Sequence, residues 1–576
     1  MKMRFRPLVA MTAIGLALAA CSSDEEAGNR VGVVANQGDW SGFLDRTIDG
    51  WMTTDPAFAV YQGRHEFDGR LPDWSEAGIR KQAAFYKDAI SQARAFRRLN
   101  EQENFAREHL VKTFEEKLFW LEDAEQWRRN PAFYVTGGLD PNVYVARDYA
   151  DPRTRMVAMI AFLKNVPTAA QQIRANLRVP MPASYVDYGV AGFGGLADYY
   201  VGDARMAFAS VEDTAMQREF ASAAQAASQA MRGLAQWLEG ERPRATQDFA
   251  MGPERFSRML KATEGVDVPL AELERIGIAD LRRNQQAMAS ACGQLLPGET
   301  VAACMAEVRS RKAEGGPVAA ATRQIPELRQ FLIEQDLVTI PGTEQAEVRE
   351  SPPYNRQNLA YIDIPGPFEK GLSSIYYISP PDPAWPQEVQ QAYLPGEADL
   401  LFITVHEIFP GHFLQFLHSN RNPNLLGKLA VGYASAEGWG HYVEEMMWEA
   451  GLRGTPETHI GQLSNALLRN CRYVAAIGMH ARGMTQAEAQ ALFQNECHQD
   501  EGNARQQAAR GTYDPAYLNY TLGKLMIRKL REDWTASRGG RQGWKAFHDT
   551  FLSYGGPPIP LVRQAMMGED APKAVF

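Results

Sequence analysis

Apolar residues recur at three- and four-residue intervals over long stretches between Trp40 and Gln335, the spacing that lays one stripe of a helix against a core. The pattern predicts amphipathic helices over residues 79–99, 101–127, 151–175, 212–238 and 270–294, all rich in the helix formers Ala, Leu, Glu, Gln and Arg. Pro and Gly clusters, such as Gly137-Gly138-Leu139-Asp140-Pro141 and Gly192-Phe193-Gly194-Gly195, are expected to connect them. No fixed-period repeat suggests a solenoid. Between about Glu347 and Pro395 the pattern changes to β-branched and aromatic residues among prolines, which predicts two short strands over 359–364 and 374–378. A helical pattern resumes at Glu397 and continues nearly to the end. The expected fold class is therefore mainly α, with a small inserted β-sheet just ahead of the residues that carry chemistry.

The chain opens with Lys2, Arg4 and Arg6, continues with an apolar run from Leu8, and reaches Leu18-Ala19-Ala20-Cys21. That order is similar to a lipoprotein signal peptide, and the run is too short to remain as a spanning helix. Residues 1–20 are expected to be removed, Cys21 to be lipidated, and 21–38 to form a flexible tether. Ser22 after the cysteine resembles the outer-membrane default, so the expected location is the periplasmic face of a Gram-negative outer membrane. The remainder divides into a helical lobe, 39–345, and a catalytic lobe, 346–576, with the strands and the histidine-rich segment. Hydrophobic content of 45% with 22% charged residues is that of a globular protein. A net charge of -9 without a basic cluster argues against nucleic acid as a partner and leaves small or peptide substrates. Beyond Cys21, the four cysteines allow three pairings or four free thiols. The near pairs, Cys292 with Cys304 and Cys471 with Cys497, are the expected disulfides in an oxidising compartment.

The informative segment is Thr404-Val405-His406-Glu407-Ile408-Phe409-Pro410-Gly411-His412-Phe413-Leu414-Gln415. A His-Glu pair followed by a second His on a helix is how zinc hydrolases supply two imidazoles and a carboxylate base. The usual gap between the histidines is four residues, which keeps them on one face. Here it is six, which on a straight helix rotates the second His by about 120°. Pro410 lacks a backbone donor and Gly411 tolerates unusual dihedrals, so two residues looped out there would return His412 to the face of His406. A third ligand is expected on a second helix, within Ala434-Ser435-Ala436-Glu437-Gly438-Trp439-Gly440-His441. Glu437, flanked by small residues, is the choice, and His441, one turn along, is the rival ligand or a supporting partner.

These residues, together with Arg469-x-x-Arg472, Gly478-x-His480 and Tyr520-x-x-Gly523-Lys524, resemble the bacterial DUF885 proteins and, through them, the zincin-like metallopeptidases. The likeness covers nearly the whole mature chain. It implies a two-lobed helical body with a cleft, similar to the angiotensin-converting-enzyme and oligopeptidase folds. It also implies one zinc ion on His406, His412 and Glu437, Glu407 as general base, and Tyr520 and His480 as donors to the oxyanion. The implied substrate is a short peptide. Arg472, Lys524 and Arg528 are candidates to anchor its carboxylate or to form ordinary salt bridges, and Tyr376 and Tyr377 are either a substrate-binding edge or packing on the sheet. One departure is Ala476, where those proteins usually carry Asp, so a carboxylate supporting the ligands is expected to be missing. Two other readings remain: a peptide-binding lipoprotein without turnover on the same scaffold, and a zinc amidohydrolase acting on a non-peptide amide.

Overall fold

Capping side chains set where the helical runs begin. In the computed structural model, which describes residues 39–352, 356, 359–568 and 575–576, Cys21, the signal segment and the tether lie outside the described part. Helix α1 (Glu76–Ala95) opens on Ser75, and α2 (Glu101–Leu118) on a capping box between Asn100 and Glu103. Helix α3 (Pro152–Asn176) opens on Asp151 with proline at its first position. Helices α4 (Ala183–Val201) and α5 (Thr214–Glu241) follow, and α5 starts later than its apolar pattern because the Asp213 side chain accepts from Met216 N.

Two expectations change here. The helix expected over 101–127 stops at Leu118 and passes through a π-helical turn, Phe119–Asp123. Glu125 then adopts φ 44°, and Trp127 sits in a separate short helix with its indole turned back to the Leu121 carbonyl at 3.0 Å. The glycine cluster at 192–195 is no connection; it lies inside α4. There glycine serves packing, since a Cβ at Gly192 would meet Val135 at 3.0 Å and one at Gly189 would meet Leu238 of α5 at 2.4 Å.

The remaining framework is α6 (Pro253–Glu264), α7 (Leu270–Leu295), α8 (Gly316–Gln335), α9 (Glu397–Glu407), α10 (His412–Ser419), α11 (Tyr433–Glu449), α12 (Pro456–Ala481), α13 (Glu501–Tyr513) and α14 (Asn519–Thr535). Helix α12 is buried along most of its length and touches α7, α9, α11, α13 and α14. A single hydrophobic cluster runs from Trp40 to Val562. It crosses residue 345, because α7 packs on α12 and α8 on α9. Both near cysteine pairs are bonded, with Cα–Cα distances of 5.8 Å for Cys292–Cys304 and 6.3 Å for Cys471–Cys497.

The sheet has three strands rather than two, in the order β1-β3-β2: β1 (Ala346–Glu350), β2 (Ala360–Asp363) and β3 (Ser374–Ile378). Strand β1 is too polar to be read as a strand, and its parallel pairing with β3 is what holds it. Because β3 is central, every one of its side chains is buried. Tyr376 is fully enclosed and Tyr377 stacks on Tyr361 with centroids 5.0 Å apart, so both are packed within the sheet.

Glu264, the last residue of α6, is buried, and Asn519 Nδ2 donates to it at 2.6 Å. Burial and the neighbouring Glu116 push its carboxyl from the ordinary 4.5 up to about 8. A carboxyl raised in the folded state stabilises it while protonated; that contribution is complete below 4.5 and is lost as pH rises through about 8. Glu264→Gln is therefore expected to be more stable than the parent by on the order of 1–3 kcal/mol above about pH 8, with little difference near pH 4. Denaturant unfolding across this range checks it, and two parallel pH profiles would sink it.

Candidate metal centre

Helix α9 ends at Glu407 and α10 begins at His412. Across the gap Gly411 N donates to Val405 O at 3.0 Å and Leu414 N to Ile408 O at 3.3 Å. Each bond spans six residues where an α-helix spans four, so two residues are looped out where the sequence placed them. The loop requires glycine, because a Cβ at Gly411 would fall 1.7 Å from the His406 carbonyl oxygen. It is fastened to α11 from both sides: Trp439 Nε1 donates to Pro410 O at 2.8 Å, and Gln415 Nε2 to Ser435 O at 2.9 Å. The imidazoles of His406 and His412 consequently meet edge to face, with centroids 4.7 Å apart.

Glu437 on α11 completes the cluster. Its Oε2 lies 3.1 Å from His406 Nε2 and 3.4 Å from His412 Nε2, and one donor atom from each of the three residues lies within 4.8 Å of the others. Close helix approach makes this reachable. A Cβ at Gly438 would strike Gly523 Cα of α14 at 2.4 Å, and one at Gly440 would strike the His406 ring at 2.6 Å.

His441 is not a ligand in this arrangement. Its Nδ1 lies 3.2 Å from Glu444 Oε2, and Glu444 Oε1 lies 2.7 Å from His406 Nδ1 and 3.0 Å from Arg469 Nη2. Burial acts to raise the Glu444 carboxyl, but Arg469 and the two histidines outweigh it and hold it far below the usual range. Ala476 is fully buried on α12, and the carboxylate whose loss it suggested is supplied to His406 by Glu444. Glu444 stands one heptad beyond Glu437, which is the signal that would have singled it out.

The donor chemistry fits a divalent cation. An ionised Glu444 places the proton of a neutral His406 on Nδ1, which turns the Nε2 lone pair toward Glu437 Oε2. Two acceptors facing one another are satisfied by a metal cation or by a proton between them. Without an ion a proton takes that place: burial depresses the His406 pKa, but Glu437 and Glu444 outweigh it and raise it to about 9. Two imidazoles and one carboxylate suit zinc better than magnesium or calcium.

A cavity of about 420 Å³ opens on the cluster, lined also by Glu407, Tyr520, Arg469, Arg472, Arg510 and β2. Burial raises the Glu407 carboxyl, against the opposing pull of His412 and His406. The Tyr520 ring stacks on His406 with centroids 6.0 Å apart, and burial raises its hydroxyl, keeping it a phenol. Three expected site residues lie elsewhere. His480 Nε2 is bonded to Gly511 O at 2.7 Å and its ring stacks on Phe256, outside this cavity. Lys524 is buried between Asp280 at 2.7 Å and Glu445 at 3.2 Å, and Arg528 pairs with Glu445 at 3.1 Å. Arg510 and Gln507, both on α13, line the cavity without any mark in the sequence pattern.

Fold and site together define a mainly helical protein with a candidate two-histidine, one-glutamate metal centre at a cavity. Residues 56–566 match the model of DUF885, bacterial proteins of unknown function, and the chain belongs to that family. It is similar to the structure of a candidate lipoprotein of unknown function from Shewanella oneidensis, with 25% identity and a TM-score of 0.75 over 92% of this chain and 100% of that one. A candidate lipoprotein from Colwellia psychrerythraea shares the fold at 16% identity and a TM-score of 0.78, over 92% of this chain and 98% of that one. No match is found among curated proteins.

Two substitutions test the cluster. Glu444→Gln keeps the volume but removes the charge on His406, and Gly440→Ala pushes a methyl against the same ring. Each is expected to weaken zinc binding by about 10- to 100-fold in chelator competition. Parent-like affinity in both would show that His406 is no ligand.

Proposed function

We propose that the protein is a zinc-dependent hydrolase that cuts peptide bonds in short peptides, with the ion held by His406, His412 and Glu437. The observation that carries this reading is the convergence of those three side chains beside Glu407 in one cavity. A zinc ion there would supply Lewis-acid polarisation of a carbonyl and a lowered pKa for water. Glu407 follows His406 directly in the chain, and its raised carboxyl suits a group that takes a proton from water and passes it to the leaving amine nitrogen. Tyr520, a buried phenol over His406, is the donor available to the developing oxyanion. Strand β2 is an outer strand of the sheet and lines the cavity with Ala360, Tyr361 and Ile362, which favours an extended peptide as the occupant. A cavity of about 420 Å³ admits short or unfolded segments and not folded proteins.

We propose as well that the protein lies outside the cytoplasm. Both structural relatives are candidate lipoproteins, and Leu18-Ala19-Ala20-Cys21 in this chain supports lipid anchorage through Cys21 on the periplasmic face of the outer membrane.

Purified protein is expected to contain about one zinc per chain and to cleave a mixed peptide library, with loss on chelation and recovery on adding zinc. Glu407→Gln should retain the metal and lose about 10²- to 10⁴-fold in kcat. Full activity in that variant would remove Glu407 from the chemistry, and a zinc-replete protein that leaves the library intact would refute hydrolysis.

A further inference from the structure

Among the described residues, Arg147, Arg155, Arg469, Lys524, Arg531 and Arg563 are buried cations, and each pairs with a carboxylate at 2.5 to 3.0 Å. Arg472 is the seventh and differs. It is only 7% exposed, yet no carboxylate of the described residues lies within ion-pair distance of it. Its Nε donates to Gln507 Oε1 at 2.8 Å, and its guanidinium carbon lies 4.7 Å from the centroid of the Tyr520 ring. The neighbouring guanidiniums do not compensate it, since Arg469 is committed to Glu444 and Arg510 to Asp514, each at 3.0 Å. Burying a charge without a partner is costly, and the other six buried cations among the described residues avoid it.

We propose that Arg472, assisted by Gln507 and Arg510, receives a carboxylate of the substrate, and that the protein acts on peptides carrying one within one to three residues of the bond cut. The substrate clause rests on the hydrolase reading; the binding site does not. One side of the Arg472 guanidinium is bonded to Gln507, and the rest of the fork matches the two oxygens of a planar carboxylate. A phosphate dianion would bring more negative charge into a cavity that Glu407 and Glu437 already line. Reach follows from Tyr520, whose ring stands 6.0 Å from His406 and 4.7 Å from Arg472, which bounds the separation of those two groups. An extended residue spans about 3.3–3.6 Å, so one to three residues bridge the two. The carboxylate is either the peptide's C-terminus or an Asp or Glu side chain.

The probe is an N-acetylated hexapeptide of alanine and leucine, prepared as the free acid, as the C-terminal amide, and as amides carrying a single Glu or Gln at each position. Binding is measured calorimetrically on the intact Glu407→Gln protein loaded with zinc, and hydrolysis on the parent. Either the free acid or one Glu position is expected to bind about 10- to 100-fold more tightly than its neutral counterpart. The free acid identifies a terminal carboxylate and the Glu position a side chain. That preference should disappear in Arg472→Gln and survive in part in Arg472→Lys. Equal binding of charged and neutral peptides overturns the proposal, and this comparison needs no Arg472 variant to fold. A charge preference without hydrolysis by the parent would sink the enzyme and keep the site; hydrolysis without the preference would do the reverse.

Discussion

Two histidines six residues apart share one carboxylate because the helix that bears them is cut between them and the cut is fastened. A cut helix exposes unpaired N–H and carbonyl groups at both new ends, and these must be satisfied where water is excluded. Here the six-residue hydrogen bonds pair the Gly411 and Leu414 N–H groups with the Val405 and Ile408 carbonyls, and Trp439 takes the Pro410 carbonyl. Both clamps, Trp439 and the Ser435 carbonyl that receives Gln415, belong to α11, the helix that also carries Glu437 and Glu444. The shape of the break and the position of the third ligand are thus one constraint. Helix α11 is in turn seated on α14 through the Gly438–Gly523 approach, so a displacement anywhere along that contact reaches the two imidazoles together.

Electrostatics separate two carboxylates that the fold brings to the neighbourhood of His406. Glu444 takes contacts from His406, His441 and Arg469 and is held ionised, which suits a group whose task is to orient an imidazole. Glu407 has no such partners; burial drives its carboxyl upward, which suits a group that must gain and lose a proton. Environments that push two carboxyls in opposite directions allow one to support and the other to react. Across the cavity the cations Arg469, Arg472 and Arg510 surround the Tyr520 ring, each within 6 Å of its centroid, and keep that wall positive.

Much of this was legible in the sequence, for stated reasons. A 3.6-residue apolar period marks helices whose one face is buried, and it located α1, α3, α5 and α7 within a few residues. Pro410-Gly411 announced the break, because no other pair removes a donor and tolerates a contact that leaves no room for a Cβ. Strand β1 was invisible because its pairing partner, not its own composition, makes it a strand. The glycines of α4 read as a loop because close packing and a turn call for the same residue. Arg510 and Gln507 were missed because α13 reads as an ordinary polar helix, and only tertiary packing turns it toward the ligands.

The misplaced site residues share one physical cause. Lys524 and His480 stand in segments that resemble functional signatures, and residue type alone allows either to bind substrate. What decides is whether the protein has already used their polar groups. Lys524 neutralises Asp280 and Glu445 at the back of the ligand-bearing helices, and His480 is tied to the Gly511 carbonyl behind α13. Glu407 and Arg472 are different: one has no ion-pair partner and the other no anion among the described residues, though both are buried and line the cavity. Leaving a charged group uncompensated weakens a fold, so its presence at a cavity wall calls for an explanation outside the folded chain. A molecule that binds there and completes those groups supplies it.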